Sequence, residues 1–167
     1  MKIDDHYKQM ARYNLWADEL LLQHLRSLSE QEYRRHCGLF FSSIHGTLNH
    51  LLLGNSAWYG RLSGERFPFE SLAQELCSDR GDLEKSLLAK SREWIAYIDQ
   101  LPETRFSEIL TYNTSKGNEV SLPFGSLVSH AFNHATHHRG QISAVISQLG
   151  YSTPEMDLVY FLLVDEN

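Results

Sequence analysis

The chain has 167 residues, of which 42% are hydrophobic and 22% charged, and it carries a formal net charge of −6. That supplies apolar side chains for a single packed core, while the negative balance argues against a general affinity for nucleic acid or anionic membrane, each of which needs a basic face. Cys37 and Cys77 are too few and too isolated for a disulfide framework or a cysteine-based zinc module, so both are expected to be reduced.

The opening residues, Met1 to His6, are polar and acidic where a signal peptide needs an apolar run, and no later segment is apolar for long enough to span a bilayer. A cytoplasmic protein of one domain over residues 1–167, with no membrane and no nucleic-acid partner, is the expectation. From about Asp4 to Leu28 the sequence reads as one amphipathic helix, with Met10, Asn14, Ala17, Leu21 and Leu28 near heptad spacing. Ser29-Glu30-Gln31-Glu32 opens a short capped turn or helix, which Gly38 breaks.

A second long helix is predicted from Ser43 to Leu62. Ile44, Leu48, Leu52, Tyr59 and Leu62 form one apolar stripe on it, and His50 lies nearly opposite, beside Gly46, Leu53, Gly54 and Ala57. A helix apolar on two sides is either central in the fold or shared with a second subunit. If His50 faces inward, the small residues around it leave room for a ligand pocket; if outward, it is ordinary surface chemistry.

After the connection Ser63 to Pro68, a third helical region is predicted to start at Ser71, with Leu76, Leu83, Leu87, Trp94, Ile98 and Leu101 at heptad-like intervals, a possible break near Gly81, and an end at Pro102. From Ile109 to Leu122, Lys116-Gly117-Asn118 separates two short runs rich in Thr, Tyr, Val and Leu, which reads as a β-hairpin or ordered loop. The fourth long helix runs from about Pro123 to Leu149, with Pro at its start and Gly150 just past its end, and a terminal segment follows from Pro154 to Val164. The expected fold class is all-α, a four-helix bundle with a small hairpin before the last long helix.

The most informative stretch lies in that last helix, His134-Ala135-Thr136-His137-His138-Arg139-Gly140-Gln141. Leu127, Ala131, Ile142, Val145 and Leu149 define a stripe roughly 60° wide at about 100° per residue. His138 falls near its middle and His134 at its margin, while His130 and His137 lie well off it. Residues four apart on a helix have Cβ atoms roughly 5–6 Å apart, so His134 and His138 can reach one divalent cation. Hydrogen-bonded core histidines are the plainer reading of one buried imidazole; two at ligand spacing on an apolar face point to a metal, with a third ligand from elsewhere. His50, mid-helix among apolar residues, is the candidate.

The segment from His130 to Ile142 resembles the signature of the DinB/YfiT-like family of metalloenzymes. Tyr13-Asn14-Leu15-Trp16-Ala17, Leu48-Asn49-His50-Leu51 and the hairpin before the last long helix occur in the order that family shows, so the likeness covers nearly the whole chain. It implies a four-helix bundle, commonly a homodimer, that holds a divalent metal through His50, His134 and His138.

Three neutral imidazoles leave a cation its full charge and an open position, the layout of a catalytic site. Imidazole suits zinc, nickel or iron alike, and spacing does not choose among them. A thiol bound there would be activated as a nucleophile, and some relatives similar in fold act as S-transferases that use low-molecular-weight thiols. A thiol-dependent transferase for small electrophiles is therefore the leading expectation, with hydrolysis, or polarisation of a carbonyl for isomerisation, open to the same site. A metal-binding stress-response or sensor module that dimerises without chemistry is the alternative from a different class, and a structural dimer with packing histidines is the plainest. Arg139 is a candidate for a substrate carboxylate, against the simpler reading of a surface ion pair. Gln141 is a candidate to orient a ligand histidine, and His137 to support the site from outside. Tyr13, Asn14 and Trp16 are candidates for the pocket wall, with core packing the better reading of Trp16.

Overall fold

The computed structural model describes residues 2–114 and 117–165; Met1 and Lys116, both named above, lie outside the described residues. Six helices and one hairpin follow in the order α1 (Ile3–Leu25), α2 (Glu30–Arg34), α3 (Ile44–Ser63), α4 (Arg80–Asp99), β1 (Ile109–Asn113), β2 (Glu119–Pro123), α5 (Phe124–Gln148) and α6 (Leu158–Asp165). The four long helices make the expected bundle. α1 packs against α4 and α5, and α3 packs against the same two, so α1 and α3 stand on opposite corners. None of these helices is long and apolar enough to cross a membrane.

Local chemistry fixes most boundaries. Ser29 and Glu32 form a reciprocal cap at α2, Ser43 accepts the Gly46 N–H at 3.0 Å to open α3, and Gly64 closes α3 in the left-handed conformation at φ 83°. Gly150 follows α5 at φ 86°. The hairpin is antiparallel, with Ile109 opposite Pro123 and Tyr112 opposite Val120.

One predicted boundary is corrected. No helix begins at Ser71: the chain stays irregular to Ser78, and α4 starts at Arg80 with Asp79 accepting the Asp82 N–H at 2.9 Å. The reason is Asn49 of α3. Its Oδ1 accepts the backbone N–H groups of Leu76 and Cys77 at 2.7 and 2.9 Å, and its Nδ2 donates to the Cys77 carbonyl at 3.1 Å. Those bonds replace the ones a helix would have supplied, and they bind the segment along α3. The second apolar side of α3 is thus covered within this chain by α5 and by its own loop.

The core forms two main clusters, one around Leu21, Leu48, Leu87 and Ile142, the other around Trp94, Ile98, Phe124 and Phe132. A third, smaller one joins Tyr13 and Ala17 to Phe161 of α6. Where the first two meet, α1, α4 and α5 bury a polar group. Arg139 Nη1 donates to Asp18 Oδ1 and Asn14 Oδ1, both at 2.8 Å, and the Ser91 hydroxyl donates to Asp18 Oδ2 at 2.7 Å. Burial pushes the Asp18 carboxyl up, and the Arg139 charge and the Ser91 hydroxyl pull it back down.

Arg139 is therefore neither a substrate anchor nor a surface ion pair. It is 1% exposed, and its charge is committed to Asp18, itself 0% exposed. Removing one partner of such a pair leaves the other charge buried and unpaired, at a cost of about 3–5 kcal/mol. Arg139→Met is expected to lower the unfolding free energy in urea by roughly that amount. A loss below about 1 kcal/mol would mean that Asp18 is hydrated or protonated once Arg139 is gone.

Candidate metal centre

The three nominated histidines come together from two helices. His50 Nε2 lies 3.2 Å from His134 Nε2, and His138 Nε2 lies 3.1 Å from the same atom. Donors held about 2.0–2.1 Å from a tetrahedral cation stand roughly 3.3–3.4 Å apart, so the spacing suits one shared divalent ion. Among the described residues this is the one group of three such side chains with ligand atoms close enough to share an ion.

Hydrogen bonds on the far side of two rings set their protonation. His50 Nδ1 lies 2.8 Å from the Leu72 carbonyl, and His138 Nδ1 lies 2.8 Å from Gln141 Oε1. Both oxygens can only accept, so both Nδ1 atoms carry the proton and both Nε2 atoms turn lone pairs inward. Two lone pairs then face one His134 Nε2, whose single proton could satisfy only one of them. A cation among the three nitrogens accepts all three lone pairs. The donor set fits a divalent metal on these grounds.

Electrostatics agree with that reading. Burial pushes His134 down to about 3, with the neighbouring imidazoles adding to the shift, and burial pushes His138 down to about 4 against the opposing bond from Gln141. His50 is also held below the ordinary histidine range by burial, partly offset by its bond to Leu72. All three are neutral near pH 7, as ligation requires.

Steric details place the rings. A Cβ on Gly54 would sit 2.9 Å from His134 Cε1, so only glycine lets α5 bring that ring so close to α3. A Cβ on Gly46 would meet the Phe41 carbonyl oxygen at 2.1 Å, so that glycine admits the turn before α3. The Phe41 ring from that turn lies flat on His50, with centroids 3.7 Å apart and planes 15° apart. Ser42, at φ 71°, reverses the chain there.

Beside the histidines runs a cavity of about 210 Å³ walled by Leu53, Gly54, Ala57 and Trp58 of α3, Phe69 and Leu72 of the following loop, and Tyr112 and Thr114 of the hairpin. The hairpin thus closes one side of it. Gln141 is where its candidate role requires. His137 is exposed and meets the His138 ring edge-on at 5.0 Å, while His130 packs on Trp58 with centroids 4.7 Å apart. Tyr13, Asn14 and Trp16 do not reach the cavity: Tyr13 and Trp16 pack on Phe161, and Asn14 belongs to the Asp18 group. Leu72, Phe41 and Trp58 carry no marker in the sequence that would have singled them out.

The chain matches the model of the DinB family across residues 3–166. It belongs to the DinB family. Protein DinB of Bacillus subtilis strain 168 is 24% identical over 168 residues, covering 97% of this chain and 96% of that protein. Among solved structures, a conserved protein from Enterococcus faecalis superposes with a TM-score of 0.67 at 15% identity, covering 87% of this chain and 95% of its own. YfiT from Bacillus subtilis, described as a probable metal-dependent hydrolase with an unusual four-helix bundle topology, gives 0.62 at 15% identity and covers 89% of both chains. A DinB-like protein from Bacillus cereus ATCC 10987 gives 0.59 at 15% identity, covering 83% of this chain and 89% of its own. At these identities the structural likeness carries the fold, and it agrees with the bundle seen here.

Gly54→Ala is expected to fold with helix stability unchanged or raised, because alanine is the better helix former, yet to displace His134 and weaken metal affinity about 10–100-fold in a competition titration. Unaltered affinity would show that the ring has room to spare. In the metal-free protein the depressed imidazoles favour the folded state while they are neutral. Unfolded histidines bind protons below about pH 6.5, so stability is full above that value and falls as pH drops toward the folded values of about 3 and about 4. Urea midpoints measured from pH 7 to 5 are expected to fall less steeply in His134→Gln than in the parent; parallel slopes would contradict the assignment.

Proposed function

We propose that this protein is a divalent-metal-dependent enzyme acting on small organic molecules, with His50, His134 and His138 as ligands to zinc, nickel or iron. One observation carries the reading: two inward lone pairs, fixed by the bonds from Leu72 and Gln141, meet a third imidazole nitrogen at 3.2 and 3.1 Å. A bound cation would supply positive charge that lowers the pKa of a thiol or water in the remaining position. The protein's own residues do the rest. Leu72 and Gln141 hold the rings, Phe41 covers a face of His50, and Leu53, Ala57, Trp58 and Phe69 give the space beside them an apolar wall.

Within that reading the favoured reaction is transfer of a low-molecular-weight thiol to a small electrophile. Among the described residues no carboxylate lines the cavity, and both histidines that line it are spent as ligands. An activated thiol needs no further base, whereas hydrolysis is usually served by one. Hydrolysis is the second reading, favoured by the description of YfiT as a probable metal-dependent hydrolase. The homodimer implied by the sequence resemblance belongs to the same proposal.

Tag-free protein is expected to retain about one equivalent of a transition metal and to consume thiol and electrophile together, with His138→Ala losing both properties. Retention below about a tenth of an equivalent, with no uptake on titration, would sink the metal reading. A loaded protein inert toward thiol–electrophile pairs and toward esters and amides would leave the non-catalytic sensor in its place.

A further inference from the structure

Arg61 lies on the same face of α3 as His50, 11 residues or about 16 Å further along the helix, at the mouth of the same cavity. Its guanidinium carbon sits 4.7 Å from the Trp58 ring centroid, one turn back toward the histidines, and 5.7 Å from that of Tyr112. Stacking grips a guanidinium by its faces and leaves its edge N–H donors unused. Arg12, Arg80, Arg92 and Arg139 each reach a carboxylate. Among the described residues Arg61 reaches no carboxylate, Glu65 four residues on included, and no acceptor takes its N–H groups. In a chain with 21 acidic and 15 basic residues, Arg61 is a half-buried cation held against two aromatic rings, with edge donors that no described carboxylate takes.

We propose that Arg61 binds the carboxylate of an elongated organic acid whose other end reaches the three histidine nitrogens. The space between is apolar, walled by Leu53, Ala57, Trp58, Phe69 and Leu72, so the middle of the ligand is a hydrocarbon chain or ring. At about 210 Å³ the cavity is below the common range for drug-sized ligands, roughly 300–1,000 Å³, so the acid is small. The carboxylate belongs either to the thiol or to its acceptor. Only the far end of this assignment rests on the metal reading; the anchor at Arg61 stands without it.

The test therefore has two arms. Metal-free protein is titrated with hexanoate and with hexanol while the Trp58 indole N–H resonance is followed. Hexanoate is expected to bind about tenfold or more tightly than hexanol, with that preference lost in Arg61→Met and partly restored in Arg61→Lys. Cobalt-loaded protein is then titrated with mercaptohexanoate and mercaptohexanol, reading the sulfur-to-metal absorption band. A preference for mercaptohexanoate that vanishes in Arg61→Met assigns the carboxylate to the thiol. Hexanoate binding alongside cobalt-bound ethanethiol assigns it to the acceptor. Equal binding of hexanoate and hexanol, or a preference that survives Arg61→Met in protein of unchanged urea midpoint, overturns the proposal. Failure to take up cobalt with the first arm intact overturns the metal reading and leaves Arg61 as the carboxylate anchor.

Discussion

Turning two imidazole lone pairs toward a third nitrogen requires something on the far side of each ring to hold its proton. For His138 that group is Gln141, one turn along the same helix, and for His50 it is the carbonyl of Leu72. Leu72 can offer that oxygen because the segment around it is not helical, and it is not helical because Asn49 engages the backbone at Leu76 and Cys77. Asn49 is the residue immediately before His50. A single turn of α3 therefore supplies both a candidate ligand and the side chain that fastens down the loop orienting it.

α5 divides its labour in a comparable way. His134 and His138 face α3, while Arg139, the next residue, turns toward α1 and closes on Asp18. The buried ion pair sits where the two main core clusters meet and fixes α5 against α1 and α4. A shift of α5 that strained the pair would also move the His134 and His138 rings. A rigid polar tie on one side of a helix thus supports a preorganised set of donors on the other.

Much of this was legible in the sequence because it is local or periodic. The apolar stripe through Leu127, Ala131, Ile142 and Val145 placed His138 inward and His134 at its edge, which matches their burial, and the caps at Ser29, Ser43 and Gly64 stand at residues suited to helix termini. His50 was assigned through the family resemblance, because its own helix is apolar on both sides and periodicity could not decide which way it faces. What failed depended on contacts distant in sequence. Asp18 lies 121 residues from Arg139, so nothing near Arg139 announces its partner. The heptad-like run through Leu76 and Leu83 imitates a helix because the loop must also present apolar residues to α3. Arg61 was not singled out at all, since its stacking on Trp58 and on Tyr112 of the hairpin joins residues up to 51 positions apart in the chain.

The flat contact of Phe41 on His50 bears on stereochemistry. That ring covers one face of His50, and the cavity along α3 opens beside His50 and His134. Under the proposed transfer reaction, a flat acceptor aligned by the groove would present the same face at each encounter. Handedness in the product would then follow from a phenyl ring that takes no part in bond making.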